Sequence, residues 1–182
     1  MLIYGTKEYF TQLIGLWQDA FGDPESLILF FLENTVEQKE IYISEKNGCA
    51  EGVLYALPCT IEGKSGYYWY ALTTRKEERG KGIMGSLMKK AAHDAEQKGA
   101  SFIWLQPATD ELFLYYEKNG FTDRIPRSDR GETNVYFPDN VKDYMCMEAE
   151  EAGEPEEDLP TDCLFRWFGE KLITELHGAF PV

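Results

Sequence analysis

A glycine-rich segment near the middle of the chain constrains the fold more than any other feature of the sequence. Residues 79–86 read Arg-Gly-Lys-Gly-Ile-Met-Gly-Ser. Glycine lets a backbone approach a phosphate closely, and the free N–H groups at the start of a helix favour negative charge. A strand-like run precedes the segment and a helical pattern follows it, so the sequence predicts a pyrophosphate-binding turn between a strand and a helix.

The residues on either side of this segment support that prediction. Residues 66–74 are rich in aromatic side chains and end in two threonines, which favours a largely buried strand over a helix. Between Met84 and Ala95 the apolar residues recur at helical spacing, and Gly99 stands where a C-terminal cap is expected. The segment therefore joins a strand to an amphipathic helix.

Two other kinds of nucleotide-binding loop fit the sequence less well. A phosphate-binding NTPase loop requires Gly-x-x-x-x-Gly-Lys-Ser/Thr, and residues 79–86 contain neither Gly-Lys-Ser nor Gly-Lys-Thr. Gly80, Gly82 and Gly85 satisfy the glycine spacing of a dinucleotide fingerprint. The next predicted strand, residues 101–106, ends without the acidic residue that would bind the ribose. An unrelated nucleotide-binding module is therefore disfavoured.

A second motif lies further along the chain, where residues 116–121 read Tyr-Glu-Lys-Asn-Gly-Phe. It resembles the end of the cofactor domain in the GCN5-related N-acetyltransferase (GNAT) superfamily. Residues 79–86 resemble the acetyl-CoA loop of the same superfamily, written Arg/Gln-x-x-Gly-x-Gly/Ala. Arg79 and Gly82 take the first and fourth places, and Met84 takes the sixth, where the family has a small residue. The two motifs together are far more specific than either alone.

The resemblance implies a fold, a donor and a set of contacts. The fold is α/β (α+β), with a mixed, mostly antiparallel central sheet flanked by helices. The donor is acetyl-CoA, and no metal is expected. The strand end offers backbone groups to the pantetheine arm, and the loop binds the pyrophosphate. The implied binding residues are Leu72, Thr73, Thr74, Arg79, Gly80, Lys81, Gly82, Ile83, Met84, Gly85 and Ser86.

The resemblance also names Tyr116 as the general acid. A phenol with a pKa near 10 is protonated at neutral pH and can donate its proton to a departing thiolate. The alternative is that Tyr116, beside Tyr115, only packs in an aromatic helix face. No general base is identified, because Glu77 and Glu78 carry no motif and neither His93 nor His177 has a convincing role. No Ser or Cys motif predicts a covalent acyl intermediate, so direct attack by the amine is expected.

Composition limits the partners of the protein. The 182 residues are 43% hydrophobic, enough for one domain with an appendage. No run of 18 apolar residues and no early secretory segment occurs, so we expect a cytoplasmic protein with no membrane contact, as a monomer or homodimer. The net charge of −14 argues against nucleic acid. The cysteines lack metal-ligand spacing and are expected to be free thiols: Cys49, Cys59, Cys146 and Cys163.

The charge is unevenly distributed along the chain. Between Arg75 and Lys90 six basic residues stand against two acidic ones, which suits a ligand with several phosphates. The remaining surface is acidic and should attract cations. The sequence therefore favours a small cationic amine as acceptor. A non-catalytic acyl-CoA sensor or interaction module of the same fold is the alternative, and Tyr116 favours the enzyme.

The apolar pattern predicts the element order β-α-α-β-β-β-α-β-α through Gly120. The predicted strands cover residues 1–4, 40–44, 50–59, 66–74 and 101–106, with a hairpin turn at Asn47 and Gly48. The predicted helices run from Phe10 to Gly22, from an Asp23 N-cap onward, from Met84, and over residues 112–119.

The region after Phe121 has a different character. Seven acids fall between Glu148 and Asp158, which predicts a flexible acidic loop over residues 148–161. The predicted acetyltransferase domain covers residues 1–147, and residues 162–182 complete it as an extension. Residues 144–147 and 163–168 are predicted as two final strands, with a small helical appendage as the alternative.

Overall fold

The computed structural model describes residues 1–128, 131–152 and 162–178. Its strands are β1 (Leu2–Tyr4), β2 (Ile41–Lys46), β3 (Cys49–Ile61), β4 (Lys64–Thr74), β5 (Phe102–Leu105), β6 (Asp123–Ser128), β7 (Val135–Tyr136), β8 (Asp162–Trp167) and β9 (Leu176–His177). Its helices are α1 (Phe10–Phe21), α2 (Glu25–Phe30), α3 (Ile83–Gln97), α4 (Asp110–Glu117) and α5 (Asp139–Ala152).

The described strands form a mixed sheet in the order β1-β2-β3-β4-β5-β8-β6-β9, and β7 pairs with β3. The pairs β4–β5 and β6–β9 are parallel. The pairs β1–β2, β2–β3, β3–β7, β5–β8 and β6–β8 are antiparallel. The predicted fold class, a mostly antiparallel central sheet flanked by helices, is confirmed.

The chain divides into two compact units. The first contains Met1–Leu57 and Trp69–Ala92, and the second contains Pro58–Tyr68 and His93–Val182. Strand β3, strand β4 and helix α3 each have residues in both units.

In the first unit, helix α1 buries one face because its apolar residues recur at helical spacing. Leu13, Leu16 and Trp17 are buried, and Gly22 ends the helix in the left-handed conformation. The prediction of Asp23 as N-cap of α2 is wrong, since Pro24 occupies that position. The Asp23 carboxylate instead accepts a hydrogen bond from the Trp17 indole, with Nε1 to Oδ2 at 2.6 Å.

The predicted hairpin between β2 and β3 is confirmed. Asn47 and Gly48 both have positive φ, at 54° and 78°, as a tight two-residue turn requires. Strand β3 is longer than predicted and changes partner along its length. Its first part pairs with β2, as at Tyr55 and Ile41, and its last residues pair with β7, as at Ile61 and Val135.

In the second unit, the strand predicted for residues 144–147 is wrong, because these residues lie in helix α5. Val141, Tyr144 and Met145 are buried at helical spacing, whereas Cys146 and Met147 are exposed. The strand predicted for residues 163–168 is confirmed as β8. Residues 148–152 of the predicted acidic loop belong to α5, and residues 153–161 lie outside the described residues. The division into domains stays a prediction.

The core of the second unit contains two buried free thiols, Cys59 on β3 and Cys163 on β8. They pack in an aromatic environment that includes Phe102, Trp104 and Phe165. None of the helices in the described part of the chain is both long and apolar enough to cross a bilayer.

Burial raises the pKa of the Cys59 and Cys163 thiols to about 12. The two thiols have a higher pKa in the folded protein than in the unfolded chain. Their contribution to the free energy of unfolding is therefore fully present below about pH 8.5 and is lost as the pH rises towards 12. We predict that Cys59→Ala flattens the fall of unfolding free energy between about pH 9 and 11 by about 1.4 kcal/mol per pH unit. Urea denaturation under reducing conditions measures this slope.

The control is Cys49→Ala, which removes an exposed thiol and should leave the slope unchanged. A Cys59→Ala protein with the wild-type slope would contradict the prediction.

Candidate active site

The end of strand β4 departs from regular strand geometry. Ala71 has a φ of 46°, an uncommon and strained value for a residue with a side chain. The kink directly precedes Leu72, Thr73 and Thr74, the residues predicted to face the pantetheine arm. Thr73 is buried, and Leu72 and Thr74 are half-buried.

Arg75 and Arg79, in the segment after β4, donate hydrogen bonds to backbone carbonyls of the strands. The Arg75 guanidinium donates two hydrogen bonds to the Ala50 carbonyl, at 3.2 and 3.0 Å, and its backbone N–H donates to Glu51 O at 2.8 Å. Arg79 Nε donates to the Thr74 carbonyl at 3.2 Å. The predicted strand-end residues and the predicted loop are therefore brought together within the first unit.

The loop itself depends on two glycines. Gly80 and Gly82 have φ values of 79° and 78°, in the left-handed region that strongly favours glycine. A Cβ atom added at either position would meet no atom within 4 Å. The loop therefore leaves open space at its glycines, which a ligand phosphate can enter.

Helix α3 begins immediately after Gly82. The Ser86 N–H and Oγ both donate to the Gly82 carbonyl, at 3.0 and 3.1 Å. The N–H groups of Ile83, Met84 and Gly85 precede this first intrahelical donor, so they are the groups that an anion binds at a helix start. The residues predicted for the pyrophosphate fit that ligand.

The predicted positive charge of the loop is partly neutralised within the protein. Lys81 Nζ lies 2.8 Å from Glu78 Oε2, and this hydrogen bond lowers the pKa of Glu78. Arg75 and Arg79 bind backbone carbonyls. The sequence predicted a basic region, but it did not predict which cations already have partners.

Gly52 on β3 is a site residue that the sequence analysis missed. A methyl group there would lie 3.1 Å from both Thr73 O and Ile83 Cγ2, and 3.3 Å from Thr74 Oγ1. Only a residue without a side chain fits well at this point between the strand end and the helix start. The available signal was a glycine inside a strand pattern, which often marks a close backbone approach.

Tyr116 lies on α4 in the second unit and is 8% exposed. Its ring contacts those of Tyr115 and Phe121, with centroids at 5.4 and 6.0 Å. Its carbonyl accepts the N–H groups of Asn119 and Phe121, so the second motif forms the C-terminal turn of α4. Burial raises the pKa of Tyr116 further above 10, which keeps its hydroxyl protonated.

Glu77, His93 and His177 are the other titratable side chains considered in the sequence analysis. Glu77 and His93 are exposed to solvent. His177 lies near Glu175, with Nε2 and Oε2 4.0 Å apart. Among the described residues, no group of three or more His, Cys, Asp or Glu side chains could hold a metal ion.

A family model described as "Acetyltransferase (GNAT) domain" matches residues 2–123, about two thirds of the chain. The chain belongs to this GNAT acetyltransferase family. The match covers both the glycine-rich loop and Tyr116. A comparison with curated proteins found no match.

Solved structures share the fold at low sequence identity. A GNAT-family acetyltransferase from Staphylococcus aureus Mu50 is 15% identical with a TM-score of 0.62, and the match covers 93% of this chain and 99% of that one. A GNAT-family acetyltransferase from Brucella melitensis, solved with acetyl-CoA, is 13% identical with a TM-score of 0.56, covering 77% and 96%.

A GCN5-related N-acetyltransferase from Anabaena variabilis is 19% identical with a TM-score of 0.53, and the match covers 70% of this chain and 32% of that one. The chain thus spans about a third of the length of this and of two other matched structures, at 31% and 32%. At these identities the likeness shows the fold alone.

The Glu78–Lys81 ion pair predicts that the affinity of the protein for free CoA changes when the charge of Glu78 is removed. We expect Glu78→Gln to strengthen the binding of free CoA about two- to fivefold, because the carboxylate no longer competes for the Lys81 ammonium. Isothermal calorimetry at low salt measures the change, and added salt should reduce it.

Glu77→Gln is the matched control, since it removes one negative charge from the adjacent exposed position without releasing Lys81. Equal effects of the two substitutions would show that only net charge matters and would contradict the prediction.

Proposed function

We propose that this protein is an acetyl-CoA-dependent N-acetyltransferase that transfers an acetyl group to a small cationic amine by direct attack. The observation that carries the proposal is the left-handed turn at Gly80 and Gly82, which opens helix α3 in the segment that follows the end of β4. We further propose that it works in the cytoplasm as a monomer or homodimer.

The loop residues 79–86 bind the pyrophosphate of the donor. The N–H groups of Ile83, Met84 and Gly85 donate to phosphate oxygens, and the positive end of the α3 dipole adds to the attraction. Each such charge-assisted hydrogen bond contributes about 1.5–3 kcal/mol, so a few of them dominate affinity for the donor.

The strand end orients the thioester. The kink at Ala71 changes the direction of the backbone just before Leu72, so that the backbone groups of residues 72–74 can bind the pantetheine arm and the acetyl carbonyl. Holding the reacting carbonyl in the correct orientation contributes substantially to the rate of such a transfer.

Bound acetyl-CoA supplies the activated acetyl group. Tyr116 gives its hydroxyl proton to the sulfur as the carbon–sulfur bond breaks and the carbon–nitrogen bond forms. The proton lost by the attacking amine passes to water, which also reprotonates Tyr116. Near neutral pH the Tyr116 hydroxyl is protonated, as a proton donor must be, because burial raises its pKa further above 10.

A non-catalytic acyl-CoA-binding module is the alternative. The burial of Tyr116 against Phe121 favours it, because a tyrosine packed in this way also stabilises the core. The charge of −14 supports a cationic acceptor for the enzyme. Acetyl-CoA consumption with a panel of amines separates the two functions.

The donor site is tested by a pair of glycine substitutions. We expect Gly82→Ala to weaken acetyl-CoA binding more than about tenfold, since the new methyl group occupies the phosphate space. Gly48→Ala places alanine at the same φ of 78°, also with no atom within 4 Å, and should bind acetyl-CoA normally. Calorimetry measures affinity, and saturating acetyl-CoA should stabilise the Gly48→Ala protein by about 2.7 kcal/mol at 100 times Kd.

Normal binding by Gly82→Ala would show that the loop does not hold the phosphates. No binding of acetyl-CoA to the wild-type protein at millimolar concentration would refute the proposal as a whole.

The general acid is tested by removing one hydroxyl. We expect Tyr116→Phe to lower kcat about 100-fold or more with little change in acetyl-CoA affinity, because the ring stays and only the proton donor is lost. Tyr115→Phe makes the same change at the neighbouring, 38% exposed tyrosine and should leave kcat unchanged. Steady-state kinetics with the best amine decides, and unchanged turnover in Tyr116→Phe would reduce Tyr116 to a packing residue.

A further inference from the structure

The second unit contains a pocket of about 310 Å³, lined by the end of β3, the start of β4, the turn after α3 and the segment around β7. It opens to solvent, since Thr60, Lys98 and Tyr136 line it and are exposed. Sites for small ligands have volumes of about 300–1,000 Å³, so this pocket can hold a small molecule. None of the residues proposed to bind acetyl-CoA or to protonate the sulfur lines this pocket.

Three buried residues with small side chains form the floor of the pocket: Cys59, Gly66 and Ala100. A Cβ atom at residue 66 would overlap the Phe102 ring, so glycine is required there. The Ala100 N–H donates to the Ala95 carbonyl at 3.0 Å, which fixes its backbone at the end of α3. Because protein interiors are otherwise closely packed, these small residues account for space that a ligand can fill.

Aromatic rings line the pocket beside this floor: Tyr67, Tyr136 and Phe137. The Phe137 ring is held in place by the core, with centroids 6.0 Å from Tyr68 and 6.4 Å from Trp104. Tyr136 is held by the pairing of β7 with β3, yet its side chain is 52% exposed. Rings in such positions bind another flat aromatic ring through stacked or edge-to-face contacts.

Lys98 supplies a positive charge at the mouth of the pocket. Its Nζ lies over the Tyr67 ring, 5.7 Å from the centroid. Gly99, with a φ of 78°, donates its N–H to the Glu96 carbonyl at 2.9 Å, so the turn that ends α3 fixes the Lys98 backbone. Within the described ranges, no carboxylate forms an ion pair with Lys98. The ammonium group is therefore available to an anionic group of a ligand.

We propose that this pocket binds a small aromatic carboxylate. The ligand ring lies against the aromatic side chains, and the carboxylate accepts hydrogen bonds from the Lys98 ammonium. A protein with a net charge of −14 repels anions in general, so recognition of an anion requires a cation at the site itself. The ligand is neither the acyl donor nor the amine acceptor, so its binding depends on neither acetyl-CoA nor turnover.

The charge is tested by calorimetry with 2-naphthoate and its neutral analogue 2-naphthamide at low salt. We expect Lys98→Gln to weaken the binding of 2-naphthoate about three- to fivefold, the range of an exposed ion pair, and to leave the binding of 2-naphthamide unchanged. Lys64→Gln is the matched control, because Lys64 is an exposed lysine on β4 that does not line the pocket. It should leave the binding of both compounds unchanged.

The space is tested by two further variants. We expect Ala100→Leu to weaken the binding of both compounds more than about tenfold, because the larger side chain fills the pocket. Tyr136→Ser removes an exposed ring without changing the core and should weaken both about threefold or more. Melting temperatures of the two variants show whether each is folded, and Tyr136→Ser decides if Ala100→Leu is not.

The absence of 2-naphthoate binding to the wild-type protein at millimolar concentration would overturn the proposal. Equal weakening by Lys98→Gln and Lys64→Gln, or full binding by folded Ala100→Leu and Tyr136→Ser proteins, would also overturn it. A dimer in size-exclusion chromatography that Tyr136→Ser dissociates, together with no naphthoate binding, would assign the pocket to a second copy of the chain. Naphthoate binding with the expected pattern but no binding of acetyl-CoA would uphold this site and refute the proposed function.

Discussion

The two left-handed glycines determine where helix α3 starts, and the proposed donor site depends on that start. A side chain at residue 80 or 82 would disfavour the left-handed φ values that the loop adopts just before the first helical N–H groups. Arg79 fixes the same loop to Thr74, and Gly52 lets Ile83 and Thr74 lie close to β3. We therefore propose that affinity for phosphate arises mainly from backbone geometry, because Lys81 already bonds to Glu78.

Tyr116 and Tyr55 are both buried, but burial has a different consequence for each hydroxyl. Burial keeps the Tyr116 hydroxyl protonated and so keeps it a donor. Burial leaves the Tyr55 hydroxyl without a hydrogen-bond partner among the described residues, at a cost in stability.

The sequence predicted the elements whose patterns are local. Apolar spacing identified α1, and the Asn47-Gly48 pair identified the β2–β3 turn. The prediction from apolar spacing is wrong at residues 144–147, because consecutive apolar residues are also typical of a strand. The helical spacing is evident only when Val141 is included. The glycine turn before α3 was predictable because such a turn needs glycine, whereas the positive φ of Ala71 and the Gly52 contact depend on packing between distant segments.

The position of β8 between β5 and β6 sets an order of assembly. Strand β6 pairs with β8 and β9, which both come later in the chain, and β5 reaches β6 only through β8. A nascent chain that ends before Asp162 therefore exposes one edge of β5 and leaves β6 without these neighbours. Such long-range pairing slows folding and exposes strand edges to other chains, so β8, once synthesised, protects β5 and β6 from aggregation.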